Sequence, residues 1–259
     1  LWARKRGEPL YRALGGGRTQ PLPVYASGIN PGGAAETVAA CRAAGHKAFK
    51  LKIGFDAKQD RTIAGEVKQT LVQDETLTVD VNQGWDIDSA CREAPYYGQL
   101  GVGWIEEPIA ADHAPDAWMR VASAAGTALA GGENLAGAAF DEAVAGAWLK
   151  VIQPDVCKWG GLTGCREVAR AALAAGKRYC PHYLGGGIGL LASAHLLAAV
   201  GGDGRLELDV NPNPLREKLA QPFPELANGH LVLSDSPGLG VEPDLGAVEK
   251  WQVTSLELD

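Results

Sequence analysis

The stretch FKLKIG at residues 49–54 alternates apolar Phe49, Leu51 and Ile53 with Lys50 and Lys52, so a strand would carry both lysines on one face. Other short runs end on acids or imidazole: Asp80 and Asn82 in TVDVN, Glu106 in WIEEP, Glu133 in GGEN, Asp155 in QPD, His182 in CPH and Glu207 in LELD. Asp80, Glu106 and Glu133 on neighbouring strands would repel one another unless a cation sat between them, and oxygen ligands with room for water and substrate suit Mg2+ better than zinc. On one flank Asp155 could orient His182 and raise its basicity. On the other, a desolvated Lys52 could act as base while Lys50 steadies a substrate carboxylate. Bases on both sides of a metal-bound carboxylate suit removal of the proton α to it, the metal stabilising the enediolate. Simpler readings exist: each carboxylate singly could be a helix cap or surface ion pair, and the lysines a solvated edge-strand face. Of Glu106 and Glu107, only one is expected to face inward.

These residues need a scaffold that brings strand ends together. Eight strand-like runs recur: PLPVYAS, HKAFKLKIG, TLTVDVNQG, GVGWIEEP, TALAGGEN, WLKVIQPD, GKRYCPH and RLELDV. Between most of them lie Ala-rich segments with helical spacing, such as GGAAETVAACRAAG, SACREAPYYGQLG, AFDEAVAGAW and TGCREVARAALAAG. Strand then helix, repeated eight times, predicts an α/β fold, a parallel (β/α)8 TIM-like barrel, with a doubly wound sheet as the competitor. A barrel carries its catalytic groups at the C-terminal strand ends, where seven of the eight runs place a polar or ionisable residue.

The chain has 259 residues, with 24 Lys and Arg against 31 Asp and Glu and a formal charge of −7. That balance, with no long basic run, argues against a nucleic-acid partner and for a small one. The five cysteines are scattered without metal-type spacing, which predicts reduced thiols used for packing in a cytoplasmic protein. The longest apolar stretch, residues 188–200, is too short to span a bilayer, so no membrane segment is expected. The chain opens LWARKRGEPL and its only methionine is Met119, so it is expected to begin inside a longer sequence.

Taken together, FKLKIG, VDVNQGW, WIEEP, GGEN, QPDVCKWGG, PHYLGGG and LELD, in this order across nearly the whole chain, resemble the enolase superfamily, in particular its mandelate racemase subgroup. The resemblance implies Mg2+ held by Asp80, Glu106 and Glu133, and a KxK pair at Lys50 and Lys52 with Lys52 as a base. It also implies His182 as second base with Asp155 as its dyad partner, and Glu207 as the acid that hydrogen-bonds the substrate carboxylate. Lys158 falls where the muconate-lactonizing subgroup carries a lysine base. Glu133 and His182 favour the racemase subgroup, so Lys158 is expected to be structural or to contact substrate, as are Asn82, Lys50 and Glu207. The implied substrate is a sugar acid or α-hydroxy acid, with dehydration to a 2-keto-3-deoxy acid ranked ahead of racemisation or epimerisation; by analogy the protein is a homo-oligomer. The implied domains are the last helix of an otherwise missing α+β cap at residues 1–20, the barrel at 21–210 and a tail at 211–259 packing on barrel and cap. With most of the cap gone, an inactive fragment or binding module is the non-catalytic alternative.

A rival class rests on GIGLLA at residues 187–192, which fits G-x-G-x-x-A on paper, but no clean strand precedes it and no acidic residue ends a following strand at the right distance. His46, His113, His195 and His230 fall outside the constellation and are expected on the surface or on helices.

Overall fold

The computed structural model describes residues 1–17 and 21–254; residues 18–20, at the boundary expected for the cap helix, and 255–259, the end of the tail, lie outside the described residues. Two short helices come first, α1 (Trp2–Lys5) and α2 (Leu10–Ala13), in place of one continuous helix. Gly7, at a φ of +68°, and Pro9 separate them, since neither favours a continued helix interior.

The strands β1 (Leu22–Ile29), β2 (Ala48–Lys52), β3 (Thr76–Asp80), β4 (Ile105–Glu106), β5 (Leu129–Gly131), β6 (Leu149–Ile152), β7 (Arg178–Tyr179) and β8 (Leu206–Asp209) coincide with the eight predicted runs. Helices connect them in turn: α3 (Ala34–Ala43), α4 (Ala57–Thr70), α5 (Ile87–Leu100), α6 (Pro115–Ala125), α7 (Ala138–Ala145), α8 (Gly161–Ala174) and α9 (Gly187–Val200). Each strand from β1 to β6 pairs in parallel with the next, and β8 pairs in parallel with β1. Between β7 and β8 no backbone ladder is found among the described residues; instead the Arg205 N–H donates to Cys180 Sγ at 3.3 Å and the Tyr183 N–H to Glu207 Oε2 at 3.0 Å. This is the α/β barrel of the sequence reading.

One face of every strand lines the barrel interior. Tyr25, Ala48, Trp104, Ala130, Val151 and Cys180 form a buried cluster, and Tyr25 meets Trp104 edge to face with centroids 5.4 Å apart. Two residues further along the same faces stand Ser27, Lys50, Glu106, Gln153 and His182. The period of two that buries the plug therefore also aims the site. The outward faces, carrying Leu51, Val79, Ile105 and Ile152, pack under the helices in the main core.

Where α5 meets α6, Gly98 allows a close approach: a Cβ there would lie 2.0 Å from the Ala125 carbonyl oxygen. Gly98→Ala should cost about 1–3 kcal/mol although alanine is the better helix former, and a melting temperature no lower than that of the unmodified chain would contradict this packing.

After β8 the tail runs through α10 (Pro214–Glu217), β9 (Ala220–Gln221), β10 (Leu226–Ala227), β11 (His230–Leu231) and β12 (Glu242–Pro243), and β11 extends the sheet antiparallel to β1. GIGLLA lies inside α9, where a Cβ on Gly187 would meet that of Ala220 and one on Gly189 would meet the Tyr183 ring. These glycines serve packing, not a phosphate. No helix among the described residues is long and apolar enough to cross a membrane. All five cysteines are free thiols; Cys41, Cys165 and Cys180 are buried, while Cys157 is exposed.

One histidine departs from expectation, and a second lies on a helix as expected yet is buried. His46 is buried in the turn before β2, and His195, although on α9, is fully buried, stacked on Tyr11 and accepting the Tyr11 N–H at Nδ1. Burial lowers both to about 4. Both imidazoles are thus neutral in the fold, and their contribution is present above the ordinary pKa near 6.5 and lost as pH falls towards 4, by roughly 3 kcal/mol each at that limit. Their C2–H resonances should stay at the neutral position down to pH 5; ordinary titration near 6.5 would show that the burial is wrong.

Candidate active site

Strand register places the first site residues side by side: Lys52 pairs with Asp80 across β2 and β3, and Asp80 with Glu106 across β3 and β4. Glu133, Asp155 and His182 follow just beyond the ends of β5, β6 and β7, and Glu207 lies within β8. Ser27 on β1 supplies the eighth strand end, the one to which the sequence assigned no residue, and donates to Glu207 Oε1 at 2.5 Å.

Lys50 is fully buried at the centre. Its Nζ lies 2.5 Å from Glu106, 2.7 Å from Glu207 and 3.4 Å from Asp80, with the Tyr25 ring 5.4 Å away. Burial disfavours its charge, but the surrounding carboxylates outweigh this and hold the ammonium well above its usual range. It is enclosed below the mouth rather than open to a substrate carboxylate, which differs from the expected contact. Glu207 is also fully buried; burial would raise its carboxyl, but Lys50 and His182 bring it down to about 2. Both its oxygens are engaged, Oε1 by Ser27 and Lys50 and Oε2 by the Tyr183 N–H. Lys52, nearer the mouth, donates to Asp80 Oδ2 and Asn82 Oδ1, both at 2.6 Å.

His182 Nδ1 lies 2.7 Å from Asp155 Oδ2, and its Nε2 lies 3.2 Å from Glu133 Oε2. Burial would lower the imidazole pKa, yet Glu207, Asp155 and Glu133 together raise it. Asp155 is fixed in turn by the N–H groups of Cys157 and Lys158. Lys158 reaches Glu133 at 2.5 Å, joining the cluster from β6.

Asp80, Glu106 and Glu133 are brought onto consecutive strands, but among the described residues no three ligating side chains converge closely enough to hold a metal. The lysines account for it: Lys50 and Lys52 stand on Asp80, Lys50 on Glu106 and Lys158 on Glu133. The donor chemistry nevertheless fits a hard divalent cation. Six carboxyl groups (Asp80, Glu106, Glu107, Glu133, Asp155, Glu207) face three lysines and one imidazole. The deficit of positive charge is visible in Glu106, pushed up to about 8 by burial and by Asp80 and Glu207 against the pull of Lys50.

Several participants escaped the sequence reading. Gln153 donates to Glu106 Oε2 at 2.8 Å and Trp104 Nε1 does so at 3.1 Å, so Glu106 is held on two sides. Gln153 carried a signal, since it precedes Asp155 by two residues at the end of a strand-like run. Glu107 carried none: both glutamates of WIEEP are buried, against the expectation that one turns out, because Glu107 takes a φ of +38° and accepts from Asn134. Burial, reinforced by Glu133, raises Glu107 to about 7.

Residues 33–247 match the family described as enolase C-terminal domain-like. A structure of a mandelate racemase/muconate lactonizing enzyme from Bordetella bronchiseptica superposes with a TM-score of 0.92 at 50% identity, over 96% of this chain and 70% of that one. D-galactarolactone cycloisomerase of Agrobacterium fabrum is 28% identical over 98% of this chain and 72% of its own length. L-talarate dehydratase from a Polaromonas species, solved with Mg and L-glucarate, superposes with a TM-score of 0.85 at 26% identity, covering 98% and 70% of the two chains. Dehydratases, cycloisomerases and racemases all occur among the relatives.

Proposed function

The chain belongs to the enolase C-terminal domain-like family, and we propose that its site removes the proton α to the carboxylate of a small acid, with Lys52 and His182 as the two bases. The observation that carries this reading is their placement: Lys52 on Asp80 and His182 on Glu133 flank an arc of carboxylates from β3, β4 and β5. Asp80, Glu106 and Glu133 are the residues that would hold Mg2+, which when bound supplies positive charge to stabilise the enediolate. Lys52 in its neutral form takes the α-proton from one face. His182, held in one orientation by Asp155, takes it from the other face or, as the imidazolium that the surrounding carboxylates favour, delivers a proton to a departing β-hydroxyl. Lys50 fixes Glu106 and Glu207 from below.

Dehydration of an acid sugar to a 2-keto-3-deoxy acid is the reaction we infer, because His182, oriented by Asp155, is placed to deliver a proton to a leaving hydroxyl and sugar-acid dehydratases occur among the relatives. Racemisation or epimerisation is the second reading, favoured by bases on both flanks. Proton NMR in D2O with Mg2+ and a panel of sugar and α-hydroxy acids separates them. Loss of the α-proton signal with a new keto-acid product supports dehydration, and loss without product supports racemisation. No exchange across the panel would defeat both and leave a binding module.

A further inference from the structure

At the opposite end of the barrel, β6, β7 and β8 present cations at or beside their N-terminal ends: Lys150, then Lys177 and Arg178, then Arg205. A cavity of about 510 Å3 opens there, with Lys150, Lys177, Arg178 and Asp203 in its wall. The only carboxylate among these wall residues, Asp203, is committed to Arg178, which donates to its Oδ2 from Nε at 2.9 Å and from NH2 at 2.7 Å. Lys150, Lys177 and Arg205 make no ion pair among the described residues. Lys177 is held in place by the carbonyls of Gly146 and Leu149, at 2.5 Å and 2.6 Å, and Arg205 by Thr76 Oγ1 at 2.6 Å.

The wall's balance of three cations to one acid runs against a chain whose net charge is −7. The crowding registers in the groups themselves: burial and then Lys150 pull Lys177 down, and Arg205 is lowered by burial, with Arg178 adding to it. A lysine held by two backbone carbonyls and a second without an ion pair, both in the wall of one cavity, are the arrangement that a bound counter-ion stabilises. The walls hold room for more than one anionic group.

We propose that this cavity binds a small multivalent anion, a phosphoryl group or a dicarboxylate, held by Lys150, Lys177 and Arg178 at the barrel end remote from the carboxylate-lined mouth. The site is separate from the proposed chemistry and stands or falls without it.

Calorimetric titration of the metal-free protein at low ionic strength, with inorganic phosphate and separately with succinate, tests it. At least one should bind saturably, at least tenfold more weakly to Lys150→Glu, with affinity unchanged in Lys158→Ala, which removes a lysine at the other mouth. Lys150 is exposed and makes no ion pair, so an unchanged melting temperature is expected for its variant. Saturation by phosphate alone assigns phosphoryl chemistry, and by succinate alone dicarboxylate chemistry. Absence of saturable binding, equal affinity in Lys150→Glu, or loss in Lys158→Ala instead would overturn the proposal.

Discussion

Lys52→Ala and His182→Asn are each expected to lower turnover by about 10² to 10⁴-fold while leaving the fold intact, because each removes a group that moves a proton and neither lies at the centre of the packed interior. The two variants should differ in what survives. Under dehydration both lose keto-acid product; under racemisation each loses solvent exchange for one configuration of substrate and keeps it for the other. Asp155→Asn refines the test. His182 would lose a carboxylate that favours its imidazolium, so the limb of the pH–rate profile belonging to His182 should move to lower pH. Retained turnover in both base variants would refute the mechanism, and an unmoved limb would detach Asp155 from it.

Lys50→Met should destabilise the metal-free protein by about 3–5 kcal/mol, since it leaves the buried carboxylates of Asp80, Glu106 and Glu207 facing one another without their shared ammonium. The sign of its pH dependence is distinctive. In the unmodified chain Glu207 is held at about 2, so its contribution is present above the ordinary value of 4.5 and lost as pH falls towards 2. In the variant, protonation relieves the repulsion instead, so the stability deficit should shrink as pH falls from 7 to 5. Urea unfolding at both pH values, without metal, reads this directly. A deficit below 1 kcal/mol, or one that grows on acidification, would mean that Lys50 is not what neutralises the three acids. Saturating Mg2+ should restore part of the loss if it binds the same carboxylates.

The barrel was legible because its two periodicities are local. Residues 49–53 alternate, and segments such as TGCREVARAALAAG carry helical spacing, so eight strand–helix units could be counted without knowing how they meet. The constellation was legible for the same reason. Side chains two apart on a strand share a face, so acids at successive strand ends of a parallel barrel must gather at one mouth.

What the sequence could not convey depended on neighbours distant in the chain. The burial of both Glu106 and Glu107 and the stacking of His195 on Tyr11, 184 residues away, follow from contacts that no local pattern encodes. The roles within the site divide the same way. By itself the sequence determined which residue types line the mouth and the order in which the strands deliver them. Only the tertiary structure decided that Lys50 lies sealed among three carboxylates while Lys52 stands at the rim, two residues of identical chemistry on the same strand face. The physical reason is depth: a charge one pleat further into the barrel loses its water, so its state is set by the acids that β3, β4 and β8 bring to it rather than by its own sequence neighbours.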